Sequence, residues 1–215
     1  MKSLIDRTLR TFGYELCRLN GSERQLVADW KPGEELNYKD VQLVKGISAP
    51  GHITIEEARF LRELVQQTAE DELIIEIGTL FGFSTMIMAL AKSPTQPLIT
   101  VDNYSWNPLG MTPAAHELAT RLALEDVTRT ANVQVMRADK NVFYREFDRS
   151  RRVGLFFCDA DHSYEATKAD LLWAKEIGAR IICGHDYDPI RHAGVTRAVD
   201  SVGGPRQICG SLFVV

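Results

Sequence analysis

No apolar stretch in the 215-residue sequence approaches the roughly 20 residues that a membrane-spanning helix needs, so no membrane span is expected. The first 19 residues place Lys2, Arg7 and Arg10 among Leu4, Ile5, Leu9 and Phe12 and lack the continuous apolar core of a secretion signal. Cysteine is scarce and scattered. Cys17, Cys158, Cys183 and Cys209 form no CxxC pair, which excludes a disulfide framework and a cysteine-based zinc site. Cys158 and Cys183 sit in apolar runs and read as reduced core residues, so a cytoplasmic location is expected. Low-complexity tracts and internal repeats are missing, which removes fibrous and solenoid architectures. Positive charge is not in excess either: 25 Lys and Arg against 29 Asp and Glu give a net charge of −4. A nucleic acid is therefore not expected as the main partner, because phosphate-backbone affinity rests on basic side chains.

What remains is the composition of one soluble α/β domain behind an N-terminal extension over residues 1–51. Residues 1–19 read as a weak amphipathic helix that packs on the domain or on a second subunit rather than on a membrane, which leaves a homo-oligomer open. Residues 20–51 are polar and rich in Pro and Gly, with Trp30 and Tyr38 isolated among them, and read as irregular. A helix is expected from Thr54, because Thr54-Ile-Glu-Glu57 is a capping box and Ile55, Ala58, Leu61 and Val65 follow at helical spacing. Apolar runs at 73–77, 98–101, 133–136, 153–158 and 180–183 then alternate with helical segments at 84–92, 113–129, 142–147 and 164–177. That alternation predicts a doubly wound, mostly parallel sheet. Two closely spaced runs, 206–209 and 211–215, predict a C-terminal antiparallel hairpin at its edge.

Ligands of open α/β sheets bind beyond the carboxyl ends of the strands, so the residues just after each run carry the functional information. After the first comes Glu76-Ile-Gly78-Thr-Leu-Phe-Gly82-Phe-Ser84, a Gly-spaced turn into a helix. Glycines admit a ligand close to the backbone, and GxxxG departs from the GxGxxG of dinucleotide sites. After the second stands Asp102, with Asn103, placed to accept ribose hydroxyls. Ala138 and Asp139 follow the third and can flank an adenine. After the fourth and fifth come Asp159-Ala-Asp161-His162 and His185-Asp186, which adjacent parallel strands would bring together. Crowded carboxylates repel one another unless a cation neutralises them, and Mg²⁺ suits such a set. Asp161 reads as the N-cap of the helix near Tyr164, while His52, His116 and His192 have no comparable context and read as surface or loop residues. Tyr104 and Trp106 can line an acceptor pocket or pack as a lid on the adenine.

From about Gly46 onward these motifs resemble the class I S-adenosylmethionine-dependent methyltransferases, and within them the small metal-dependent O-methyltransferases of the catechol and macrolide-sugar kind. The resemblance implies a seven-stranded Rossmann-like sheet over residues 52–215. It implies S-adenosylmethionine contacts from Glu76, Gly78, Gly82, Ser84, Asp102, Asn103, Ala138, Asp139 and Asp159. It further implies Mg²⁺ or Mn²⁺ held by Asp159, His185 and Asp186, with His185 departing from the usual carboxylate or amide. Asp159 and His162 would carry the catalysis, His162 as general base towards a hydroxyl of a small molecule or glycan. Residues 1–19 resemble the starts of methyltransferases from surface-glycan and deoxysugar pathways. Two rivals stand beside this expectation. One is a non-haem iron hydroxylase built on His162, His185 and a carboxylate; the other is a non-catalytic S-adenosylmethionine-binding module.

Overall fold

A computed structural model describes residues 53–106 and 110–215. The expectations for residues 1–51, Cys17, Trp30, Tyr38 and His52 lie outside the described residues. Helix α1 (Ile55–Gln66) starts at the expected capping box: Thr54 Oγ1 accepts from the Glu57 amide, and the Glu57 carboxylate accepts from the Thr54 amide at 2.8 Å. Thereafter come β1 (Leu73–Ile77), α2 (Phe83–Ala91), β2 (Leu98–Asp102), α3 (Pro113–Ala123) and α4 (Glu125–Thr130). They are followed by β3 (Val133–Arg137), α5 (Lys140–Glu146), β4 (Val153–Cys158), α6 (Tyr164–Glu176), β5 (Ile181–Gly184) and α7 (Ala193–Ser201). The hairpin β6 (Gln207–Cys209) and β7 (Leu212–Val214) closes the chain. No helix among the described residues is long and apolar enough to cross a membrane.

The seven strands lie in the order β3-β2-β1-β4-β5-β7-β6. The first five are parallel, and β7 pairs antiparallel with β5 and β6, so the expected sheet and edge hairpin are both present. β1 and β4 are buried along their whole length because helices cover both faces of the sheet. Side chains of alternate residues feed two cores: Ile74, Leu155 and Phe157 pack with α1 and α2 on one face. Leu73, Ile75, Ile77 and Phe156 pack with α5, α6 and α7 on the other.

The expected helix over 113–129 is two helices, broken at Leu124 (φ −97°, ψ 3°). Neither Gly nor Pro marks the break. Leu124 is fully buried, and its side chain reaches so close to Gly82 that a Cβ there would sit 2.7 Å from Leu124 Cγ. Core packing behind the β1–α2 turn accounts for the bend. Helix α5 begins two residues before the expected segment because Asp139 caps it, accepting from the Asn141 amide at 2.8 Å. The N-cap of α6 is Ser163, whose Oγ accepts from the Ala166 amide, and not Asp161. Asp161 instead accepts from the Ser163 amide at 2.8 Å and shapes the turn leading into the cap.

Candidate active site

The sheet order reverses between β1 and β4, so the loops after these strands diverge and leave a crevice. Register makes the crevice orderly. Ile77 is level with Val101 and Cys158, and Cys158 with Gly184. One residue further on, the Gly78 amide donates to Val101 O, the Asp159 amide to Ile77 O and the His185 amide to Cys158 O, at 2.9, 2.9 and 3.2 Å. A cavity of about 700 Å³ opens there, a size suited to a nucleoside-sized ligand. Its walls include Gly78, Asp102, Ala138, Asp159, His162 and Asp186. A smaller cavity of about 460 Å³ at the other end of the strands is lined by Arg149, Arg152 and Arg180, each already paired with a carboxylate.

Gly78 needs to be glycine. Its φ is +101°, and a Cβ would lie 1.8 Å from the Asp159 carbonyl oxygen. Beneath the turn Glu76 is fully buried and accepts from the hydroxyls of Ser84 and Thr85. Burial pushes its carboxyl up to about 7, against the opposing hydrogen bonds from Ser84, Thr100 and Thr85. At the end of β2 the Asp102 carboxylate is held by two amides: Leu80 donates to Oδ2 at 2.9 Å and Tyr104 to Oδ1 at 2.6 Å. That fixes its orientation and leaves lone pairs for the cavity that it lines.

Across the cavity stands a cluster of carboxylates and imidazoles. His162 Nε2 lies 3.0 Å from Asp186 Oδ2 and 3.6 Å from Asp159 Oδ1. His185 is buried; its Nδ1 is 3.3 Å from Asp186 Oδ1, while its Nε2 faces Ser211 Oγ at 3.0 Å and Glu57 Oε2 at 3.4 Å. Burial works to lower the His185 pKa, yet the Asp186 hydrogen bond and the charges of Asp159, Asp186 and Glu57 carry it to about 9. For Asp186 burial acts upward, but the bond and charge of His185 and the charges of His162 and His192 hold it below the ordinary value. The hydrogen bond to Asp159 raises His162, with burial opposing. Asp186 itself has φ +65°, a left-handed conformation rare outside Gly, Asn and Asp.

Residues 75–187, more than half of the sequence, match the family model of a methyltransferase domain. The chain belongs to this methyltransferase family. No curated protein matches it. Among solved structures, a putative O-methyltransferase from Klebsiella pneumoniae is 20% identical, with a TM-score of 0.60 over 87% of this chain and 86% of that one. An O-methyltransferase from Bacillus cereus, in complex with S-adenosylhomocysteine, is 18% identical with a TM-score of 0.55, covering 98% and 94%. A TDP-rhamnose 3'-O-methyltransferase of calicheamicin biosynthesis is 16% identical with a TM-score of 0.53, covering 88% and 97%. At such identities the likeness is one of fold, and it agrees with the resemblance read from the motifs.

In this methyltransferase Gly78, Asp102, Asn103, Ala138, Asp139, Asp159, His162, His185 and Asp186 all line the one cavity. Glu76, Gly82 and Ser84 do not; they lie behind the turn, where the Ser84 hydroxyl is engaged by Glu76. Tyr104 does not reach the cavity either. Its backbone is left-handed at φ +57°, and its ring is fully buried against His116 at 5.1 Å between centroids. Trp106, 61% exposed, does line it. His116, expected at the surface, is buried on α3 between Phe81 and Tyr104. His192, expected at the surface or in a loop, is the loop residue just before α7 and joins the cluster with Nε2 3.5 Å from Asp186 Oδ1. Glu57 was legible only as a cap. Its Oε1 also accepts from the Ser211 amide and hydroxyl, at 2.6 and 2.9 Å, and burial is outweighed by its amide bonds, which bring it down to about 2.

Proposed function

We propose that the methyltransferase is an S-adenosylmethionine-dependent O-methyltransferase acting, with a divalent cation, on a hydroxyl of a small-molecule or sugar-containing acceptor. The observation that carries this reading is the level alignment of Gly78, Asp102, Asp159 and His185-Asp186 around one cavity. The cofactor's fit rests on the Gly78 turn, whose bare backbone a side chain would fill, and on the oriented Asp102 carboxylate at ribose-binding position. When bound, S-adenosylmethionine supplies an electrophilic methyl group on a sulfonium. The cation's fit rests on the donors: one ligand atom each from Asp159, His185 and Asp186 lies within 4.8 Å of the others. Carboxylate oxygens suit Mg²⁺ or Mn²⁺, and His185 offers only Nδ1 because its Nε2 faces Ser211 and Glu57.

An ion held by Asp159, His185 and Asp186 would lower the pKa of a hydroxyl placed beside it. His162, an imidazole open to the cavity and facing the same carboxylates, takes the hydroxyl proton. The rest of the rate would derive from holding donor and acceptor in line, a reading that the hydrogen bond from the Asp159 amide to Ile77 O supports by fixing the two loops together. The iron-hydroxylase alternative loses support because the family is one of methyltransferases. The deciding experiment is methyl transfer from S-adenosylmethionine to a panel of hydroxyl acceptors, with and without EDTA, for wild type and Asp159→Ala. Turnover should vanish in EDTA and in the variant while calorimetric affinity for S-adenosylhomocysteine stays within a few-fold. Undiminished transfer in excess EDTA refutes the cation.

A further inference from the structure

His192 has no role in that transfer, yet its imidazole is aimed at the cluster. It occupies the N-cap position of α7 without making a side-chain capping bond, so the helix does not account for its orientation. Its Nε2 is 3.5 Å from Asp186 Oδ1, and His162 Nε2 is 3.0 Å from Asp186 Oδ2. The two imidazoles meet edge to face with centroids 4.6 Å apart, and one donor atom from each of His162, Asp186 and His192 lies within 4.8 Å of the others. A tetrahedral Zn²⁺ with bonds of about 2.0–2.1 Å separates neighbouring donors by about 3.3 Å, and the Asp186 carboxylate lies at that scale from both imidazoles, 3.0 Å through Oδ2 and 3.5 Å through Oδ1. Two imidazole nitrogens and one carboxylate form the donor set of a zinc site with an open position, one imidazole richer and one carboxylate poorer than the set assigned above to Mg²⁺ or Mn²⁺.

We propose that His162, Asp186 and His192 form a Zn²⁺ site whose donors differ from the Asp159, His185 and Asp186 set. His162 and Asp186 line the cavity, which gives the ion a path in and its fourth position a solvent ligand. Zinc there is inhibitory, because His162 Nε2 cannot both ligate and accept a proton, and Asp186 belongs to both sets. The inhibitory consequence rests on the reading of His162 as base; the binding does not.

The test is calorimetry with ZnCl2 on the full chain, wild type against His192→Gln, alongside the visible absorption of Co²⁺ substituted for zinc. Wild type should bind one Zn²⁺ per chain and give tetrahedral Co²⁺ bands. His192→Gln should bind Zn²⁺ at least roughly 10-fold more weakly, since losing even an outer-sphere partner costs that much. Whatever its own Mg²⁺-supported rate, that rate should resist zinc at concentrations that inhibit wild type. Equal zinc affinity in the two proteins, or no Co²⁺ bands in wild type, overturns the site. Zinc binding that leaves wild-type turnover intact overturns the inhibition, and the metal readouts decide the site even if no acceptor is ever methylated.

Discussion

Glu76→Gln isolates the cost of a buried carboxyl beneath the Gly78 turn. The hydroxyls of Ser84 and Thr85 donate to Glu76, and hydrogen bonds to a charged group stabilise its ionised form by about 1.5–3 kcal/mol each. Complete burial opposes them and wins, carrying the carboxyl from 4.5 to about 7. The sign follows from linkage. Below pH 4.5 the group is protonated in both folded and unfolded chains and costs nothing. As pH rises from 4.5 to 7 the unfolded chain releases its proton first, so stability present at low pH is progressively lost, and above 7 the loss levels off. A shift of this size corresponds to about 3 kcal/mol in all, of which about 2.5 kcal/mol falls between pH 5 and 8.5. The glutamine variant keeps the shape and lacks the titration, since the two hydroxyls can turn to suit its amide. Urea unfolding of both proteins at several pH values therefore gives two stability curves whose difference shifts in favour of the variant as pH rises, and then becomes flat above pH 7. A gap independent of pH would refute the account of Glu76.

Gly78→Ala forces a side chain into left-handed backbone and against the Asp159 carbonyl; we expect a loss of about 2 kcal/mol or more in thermal unfolding and of calorimetric S-adenosylhomocysteine binding. Near-normal affinity would contradict the close approach of the two loops. Leu124→Ala removes the side chain packed behind Gly82 and should cost about 2–5 kcal/mol in urea unfolding, with weaker cofactor binding as the turn loosens. His162→Ala should reduce kcat by roughly 10²-fold with little change in cofactor affinity, and steady-state turnover close to wild type would remove the base.

Both termini of β1 and β4 could be read from residues alone, because strands covered by helices on two faces are uninterrupted apolar runs. The same logic exposed Asp102, Asp159 and His185-Asp186, since the polar residue that ends such a run is the one that meets the crevice. Contacts made through tertiary packing left no such trace. Leu124 breaks a helix with nothing in its neighbourhood to announce it. Tyr104 follows Asp102 like a cavity residue, but its left-handed backbone turns the ring into the core. Glu57 and Ser211 are 154 positions apart and meet only because β7 lies beside β5. His192 joins the cluster because the loop after β5 folds back, its amide donating to Asp188 O at 2.8 Å.

The hydrogen bond from the Asp159 amide to Ile77 O ties the Gly78 turn and the Asp159 loop into one piece of main-chain scaffolding. The offset between the Gly78 turn and the Asp159 loop is thereby set by the main chain of the sheet. Trp106 and Glu165 line the same cavity outside that main-chain tie, so an exchange at either leaves the tie in place. For redesign this divides the molecule into a fixed gauge and an interchangeable mouth.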